Sequence, residues 1–217
     1  MFHPDAVALT IPYLLSGLKV TLLLAILIVP LAFGMGTLVA IVANSTSRPV
    51  RLIAYLYIDF FRAFPPLVLI IFVFYALPFL GLRLPEIPAF VLAMTLNGSA
   101  YFAEIVRAGL AAVPKGQYEA AQATGLNGAQ VLTYVVLPQA LKKVRPPLLS
   151  NVLELAKATS LASVVAIAEL LRSARIAQGA IYDPTPLLMA ALVYLVMFWP
   201  FVRLLSLIEK RQSFSPV

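Results

Sequence analysis

Along most of this chain apolar residues follow one another in unbroken runs instead of alternating with polar ones. A helix needs about 20 mostly apolar residues to cross the hydrocarbon core of a bilayer. Five stretches meet that need: 19–43, 63–80, 88–112, 147–171 and 186–208. Helices are the expected form, because backbone N–H and C=O groups in hydrocarbon must be paired within their own segment. A transmembrane barrel needs strands of alternating polarity, and these runs do not alternate. The pattern predicts an all-α integral membrane protein, a single transmembrane domain over residues 1–217.

Between the first two spans, "RPVRLIAYLYIDFFRAFPP" is aromatic and edged with arginine. It reads as an interfacial helix or elbow, with an earlier start of the second span as the alternative. The first span carries Pro30, a candidate kink, and Gly34 and Gly36, small enough for close helix contact. The N-terminal stretch has no basic segment before its first apolar run, so it reads as a retained span and not a cleaved leader.

Composition sharpens this picture. The chain is 62% hydrophobic and 12% charged, with a mean hydropathy of +0.96. A soluble domain has no interior for that much apolar surface. The net charge of +7 is concentrated in alternate connections. Residues 44–62, 107–146 and the tail from 203 hold Arg48, Arg51, Arg62, Arg107, Lys115, Lys142, Lys143, Arg145, Arg203, Lys210 and Arg211. The other connections hold Lys19, Arg83, Arg172 and Arg175. Positive connections stay in the cytoplasm, which predicts the N-terminus outside and the C-terminus inside. The basic excess therefore belongs to topology and not to a nucleic-acid site. With no cysteine and the single His3, disulfides, thiol chemistry and a His/Cys metal site are not expected.

One connection, 113–146, is long and polar. It contains Glu119-Ala120-Ala121, then Gly125 after three residues, then Val135-Val136-Leu137-Pro138 after nine more. Ala120 and Ala121 add little bulk to a short helix, so a partner's backbone can approach. Gly125 permits a sharp change of direction, and Pro138 limits helix continuation. The spacing resembles the Glu-Ala-Ala signature of ABC-transporter permease subunits, with Val135 in place of isoleucine. The likeness extends through "GLKVTLLLAI", "FRAFPPLVLIIFVFYALP", "LNGSAYFAEIVRAGLAAVPKGQYEAA", "LAKATSLASVVAIAELL" and "YDPTPLLMAALVYLVMFWPFVRLLSLIEKR". Ala63-Phe64 departs from the Gly-Thr of that family. The segments are similar to those of permeases that take up polar amino acids, of the histidine, glutamine and arginine type.

That resemblance implies an ABC type I importer fold in a bacterial inner membrane, with a cytoplasmic coupling helix. It implies a second permease subunit, identical or different, two ATPase subunits and an extracytoplasmic solute-binding protein. Glu119, Ala120, Ala121, Gly125, Leu137 and Pro138 are then the ATPase-coupling residues. The chain has no Gly-rich phosphate loop, so it is not expected to be an enzyme. ATP and magnesium would belong to the partner, with no cofactor in this chain.

Ionisable side chains in hydrocarbon cost about 2.5–3.5 kcal/mol each on the insertion scale, so each needs a reason. The third span carries Asn97, Tyr101, Glu104 and Arg107; the fourth carries Glu154, Lys157, Thr159 and Ser160. Glu104 and Lys157 lie at similar depth, about 12 and 15 Å from the inner ends of their spans. They can pair with each other, or as the i,i+3 neighbours Glu104–Arg107 and Glu154–Lys157. A polar translocation path would use Asn97, Tyr101, Glu104, Glu154, Lys157, Thr159 and Ser160. The carboxylates would accept an ammonium, and the donors would hold a carboxylate. The alternative is inter-helix glue. Arg62, Arg107 and Arg203 read as snorkelling anchors, and Phe60, Phe61, Tyr194 and Trp199 as interfacial or lipid-facing aromatics. The expected activity is ATP-driven import of a polar amino acid. Another small zwitterion (an opine or compatible solute), a non-transporting scaffold or sensory component, and a channel or stand-alone secondary transporter are the rivals.

Overall fold

The computed structural model describes residues 4–213, with side chains over 7–208. His3 and the side chains of Lys210 and Arg211 lie outside the described residues. Every regular element among the described residues is helical. In chain order we label them α1 (Pro4–Ala43), α2 (Arg48–Ala63), α3 (Pro66–Leu80), α4 (Glu86–Ala111), α5 (Lys115–Ala123), α6 (128–143), α7 (Arg145–Val165), α8 (Leu170–Ile181) and α9 (Thr185–Ser213). Four stretches are long and apolar enough to cross a membrane: Val7–Ala43, Glu86–Ala111, Arg145–Val165 and Thr185–Ile208. A fifth is reached if α2 and α3 count together across their break.

Two boundaries differ most from the sequence reading. The first helix starts at Pro4 instead of at residue 19. Lys19 does not end it, because lysine is a good helix former and its long stem carries the amine away from the axis. The fourth span ends at Val165 instead of at 171. From Ala158 to Val165 it tightens to 3-10 winding and stops at Ala166, whose φ of 66° lies in the left-handed region. Residues 172–181, read as part of a connection, belong to α8.

The chain divides into two compact units. The first comprises the described residues up to Pro30, Pro65–Thr95 and those from Val152 onward. Here Gly17 lets α1 approach α8: a Cβ at Gly17 would lie 2.6 Å from the Ser173 hydroxyl. Leu14, Leu170, Ala174 and Ala190 form the apolar centre. Glu169 is fully buried beside it. Its carboxylate caps α8, accepting from the Leu171 and Arg172 N–H groups at 2.8 Å each. It also accepts from the Tyr194 hydroxyl at 2.8 Å. Burial pushes the Glu169 carboxyl above the usual range, and these three donors oppose that rise. The Leu170 N–H goes to the Thr21 hydroxyl at 3.0 Å. Tyr194 is therefore not a lipid-facing aromatic: its hydroxyl is committed to an internal acid, as a buried phenol's polar end requires.

The second unit comprises Leu31–Phe64 and Leu96–Asn151. Its core is built largely from alanine and valine on five helices. Ala40, Ala43, Ala54 and Ile58 meet Ala103, Val106 and Leu110, and Ala121, Val131, Val136 and Ala140 close the cluster. Of the two glycines predicted to allow close contact, only Gly36 does so. A Cβ there would lie 2.6 Å from both the Phe102 Cβ and the Ser99 carbonyl, whereas Gly34 has nothing within 4 Å. The two residues are 200° apart around the helix, so only one of them can face α4.

Candidate functional site: the 113–146 connection and the polar residues of the spans

The 113–146 connection is two helices joined by a turn. α5 ends at Thr124, whose hydroxyl returns to the Ala121 carbonyl at 2.7 Å. Gly125 then takes φ +84°, a conformation that costs glycine little. Asn127 opens α6 with a reciprocal capping box: its side chain accepts from the Gln130 N–H, and the Gln130 side chain accepts from the Asn127 N–H. Gln139 donates to Gln117 at 3.1 Å, and the Lys143 amine donates to the Ala112 carbonyl at 2.7 Å. One side-chain bond thus ties α6 to α5, and a second ties the end of α6 to the residue after α4.

The two alanines separate. Ala120 is exposed beside Glu119 and Gly125, while Ala121 is buried in the unit's own core. One small residue keeps the outer face open; the other lets α5 sit down on α6. Tyr118 is half-buried, and desolvation raises its phenol pKa. Pro138 is exposed, Leu137 is half-buried, and residues 131–136 form a widened π turn just before them. Proline at 138 supplies no N–H to the carbonyl four residues back, and a wider turn absorbs the clash. The same solution appears before Leu77-Pro78, where 72–76 are widened.

The intramembrane polar residues form two groups, one in each unit. In the second unit, α2 ends at Pro65-Pro66, which removes the N–H donors that would pair with the Phe61 and Arg62 carbonyls. Two residues of α4 supply donors in their place. The Asn97 amide donates to the Phe61 carbonyl at 2.8 Å and to the Phe64 carbonyl at 3.3 Å. The Tyr101 hydroxyl donates to the Arg62 carbonyl at 3.3 Å. Glu104 is held by Arg107 through two bonds, 2.6 and 3.0 Å, with Arg62 at 3.9 Å. Arg62 also lies over the Tyr101 ring, and Arg107 over the Tyr55 ring. Arg62 and Arg107, read as snorkelling anchors, are ion-pair partners of one carboxylate.

In the first unit Lys157 pairs with Glu154 at 2.8 Å. Of the pairings open to these charges, the i,i+3 ones form. Thr159 is buried and donates to the Ala156 carbonyl, and Ser160 donates to the Lys157 carbonyl. Lys157 and Ser160 edge a pocket of about 650 Å³ together with Arg175 and Tyr194. Sequence reasoning counted Arg175 among the charges of a connection and Tyr194 among the aromatics, and placed neither at a pocket. Arg203 lies over the Trp199 ring. Among the described residues no group of three or more His, Cys, Asp or Glu is placed to hold a metal.

A multi-pass helical membrane protein with an exposed, braced, two-armed connection is the class these features define. The comparisons give the family. Residues 32–214 match the family of binding-protein-dependent transport system inner membrane components, and the chain belongs to that family. It is 38% identical over 207 residues to the probable glutamine ABC transporter permease protein GlnP of Bacillus subtilis, covering 93% of this chain and 94% of that one. It is 34% identical to the arginine transport system permease protein ArtQ of the same organism, over 86% of each chain. Among solved structures, it is similar to the crystal structure of an amino acid ABC transporter with histidines. The TM-score is 0.85 and the identity 36%, covering 97% of this chain and 99% of that one.

Proposed function

We propose that this chain is the permease subunit of a bacterial inner-membrane importer that moves a polar amino acid, driven by ATP hydrolysis on separate subunits. The observation that carries the cargo class is the 36% identity over nearly the whole chain to an amino acid ABC transporter. Relatives named for glutamine and arginine support it. The braced arms of α5 and α6 are the element on which an ATPase acts, through the exposed surface of Glu119, Ala120 and Gly125. Motion of that element would rock the spans between two access states. Leu137 and Pro138 set the angle at which α6 leaves the contact. A binding protein delivers the cargo on the opposite side, and a second permease chain completes the pore. The N-terminus lies outside and the C-terminus in the cytoplasm, as the basic connections require. ATP and magnesium reside on the ATPase, and this chain carries no cofactor.

Reconstitution tests the reading. The purified complex in liposomes, with binding protein and external amino acids, should accumulate one of them only with internal ATP. No ATP-dependent uptake of any amino acid sinks the proposal. Gly125→Asp adds bulk and charge at a left-handed position on the contact face, and should abolish uptake and ATPase docking together. Survival of both would move the coupling role elsewhere.

A further inference from the structure

The fourth span changes winding part-way. α7 is α-helical from Arg145 to Lys157 and 3-10 from Ala158 to Val165. Eight residues is long for that winding, whose runs seldom exceed about three or four because its hydrogen bonds are poorly aligned. Burial follows the winding. Thr159, Ala162 and Val165 are buried, each three residues from the next, whereas Ser160, Leu161 and Ser163 are half-buried and Val164 is exposed. A buried stripe of that spacing belongs to a 3-10 helix. In an α-helix Val165 would stand about 120° away from Thr159, and Ser163 would take its place on the buried face.

The segment is loosely held where it stops. The Ala166 N–H reaches the Ser163 carbonyl at 3.4 Å, and the Ile167 N–H reaches the Ala162 carbonyl at 3.3 Å. Two side chains add long bonds. Arg172 donates to the Ser163 carbonyl at 3.2 Å, and the Tyr75 hydroxyl donates to the Val164 carbonyl at 3.5 Å. After Leu80 and Thr124 the chain makes a left-handed stop with glycine, Gly81 and Gly125. At 166 it uses alanine, whose Cβ crowds the following carbonyl in that conformation. Among the described residues Tyr182 is the other exception, and it closes α8 with a shorter bond, 2.9 Å to the Gln178 carbonyl.

The two neighbours of the segment are firmer. On the far side Glu169 caps α8, and the Leu170 N–H is bonded to Thr21. On the near side α7 follows α6 after the single residue Val144, so a pull on the two-armed connection reaches Ala158 along one helix. A strained and weakly bonded segment therefore lies between a driven helix and an anchored one. The rise per residue is about 2.0 Å in a 3-10 helix and about 1.5 Å in an α-helix, so rewinding 158–165 to α shortens it by about 4 Å.

We propose that residues 158–165 are a winding switch, 3-10 in this structure and α-helical in the opposite access state, and that Ala166 leaves its left-handed conformation as they rewind. Strain at Ala166 brings the two windings close in energy, as a bistable element requires. The proposal rests on the ATP-driven import proposed above and names a segment that takes up its motion.

The chain contains no cysteine, so single cysteines placed at 158–165 report one position at a time. Each is labelled with a nitroxide in the complex with cysteine-free ATPase subunits in nanodiscs. Oxygen accessibility is then read by electron paramagnetic resonance, at rest and after trapping with ATP and vanadate. Oxygen enters lipid and water alike, so a low value marks burial by protein. At rest the minima should fall at 159, 162 and 165. After trapping, the last minimum should shift from 165 to 163. The same three-residue pattern in both states overturns the proposal, as does an α-helical pattern at rest. If a label at 165 prevents assembly, Ser163→Cys decides by whether its own accessibility falls on trapping. Ala166→Gly gives an independent reading. It eases the left-handed stop, holds the segment in 3-10 winding and should depress uptake about fivefold at equal assembly. Native uptake by Ala166→Gly overturns the switch, since a mere stop loses nothing from that change. A native complex without ATP-driven uptake sinks the import reading; uptake with an unshifted pattern sinks only the winding switch.

Discussion

Two intramembrane carboxylates, Glu104 and Glu154, lie one in each unit, and both pair with a cation three residues along the chain. They differ in what surrounds the pair. Glu104 has two guanidiniums, a bidentate clasp and an exposure of 29%. Glu154 makes one bond to one amine, and 71% of its side chain is exposed, with 43% of Lys157. Multiplicity and enclosure make the first pair a structural tie. The second holds its charges loosely beside a pocket, where a ligand can compete for them. Both pairs join a glutamate to a basic residue three positions along the helix; what differs is their surroundings.

The comparison breaks most sharply at Glu104. Glu104→Gln leaves two arginines uncompensated within the apolar layer and should cost about 3 kcal/mol. Thermal unfolding of the detergent-solubilised complex would show it, and an unchanged Tm would deny Glu104 the role of tie. Asn97→Ala should cost about 2 kcal/mol by leaving the Phe61 and Phe64 carbonyls without side-chain donors. It should raise hydrogen exchange at the end of α2. Tyr101→Phe removes the single, longer bond to the Arg62 carbonyl and should cost about 1 kcal/mol. Lys157→Met should move stability least, by under about 1 kcal/mol, because an exposed pair contributes little. It should nevertheless depress uptake strongly at constant assembly. A large loss of Tm with unaltered uptake per assembled complex would invert the comparison.

The spans and the two-armed connection were legible because they depend on local facts. Hydropathy marks a span, and the spacing of Glu119, Ala121, Gly125 and Pro138 marks the connection. The chain's membership of the permease family agrees with that reading. α8 escaped because its buried face is Leu170, Ser173, Ala174 and Ala177. Small residues on one side and arginines on the other do not stand out in a chain this apolar. The duties of Asn97 and Tyr101 were hidden for a different reason. Both answer a deficit made by Pro65 and Pro66, and nothing near 97 or 101 records it. The prolines were visible, and asking which carbonyls they orphan would have raised the question of a donor. The pairing of Arg62 and Arg107 with Glu104 was only half visible, since Arg107 is an i,i+3 neighbour and Arg62 belongs to another helix.

The break between α2 and α3 also bears on how the chain is made. Phe61 receives its donor from Asn97, 36 residues later. A ribosome that has released α2 and α3 has not yet released that amide. Until α4 emerges, the carbonyls at the break have no side chain to answer them, and the lipid interior offers no substitute. Membrane integration of these segments is thereby coupled. The α2–α3 break should linger at a hydrated site of the insertion machinery until α4 arrives, and the three should enter the bilayer as a set.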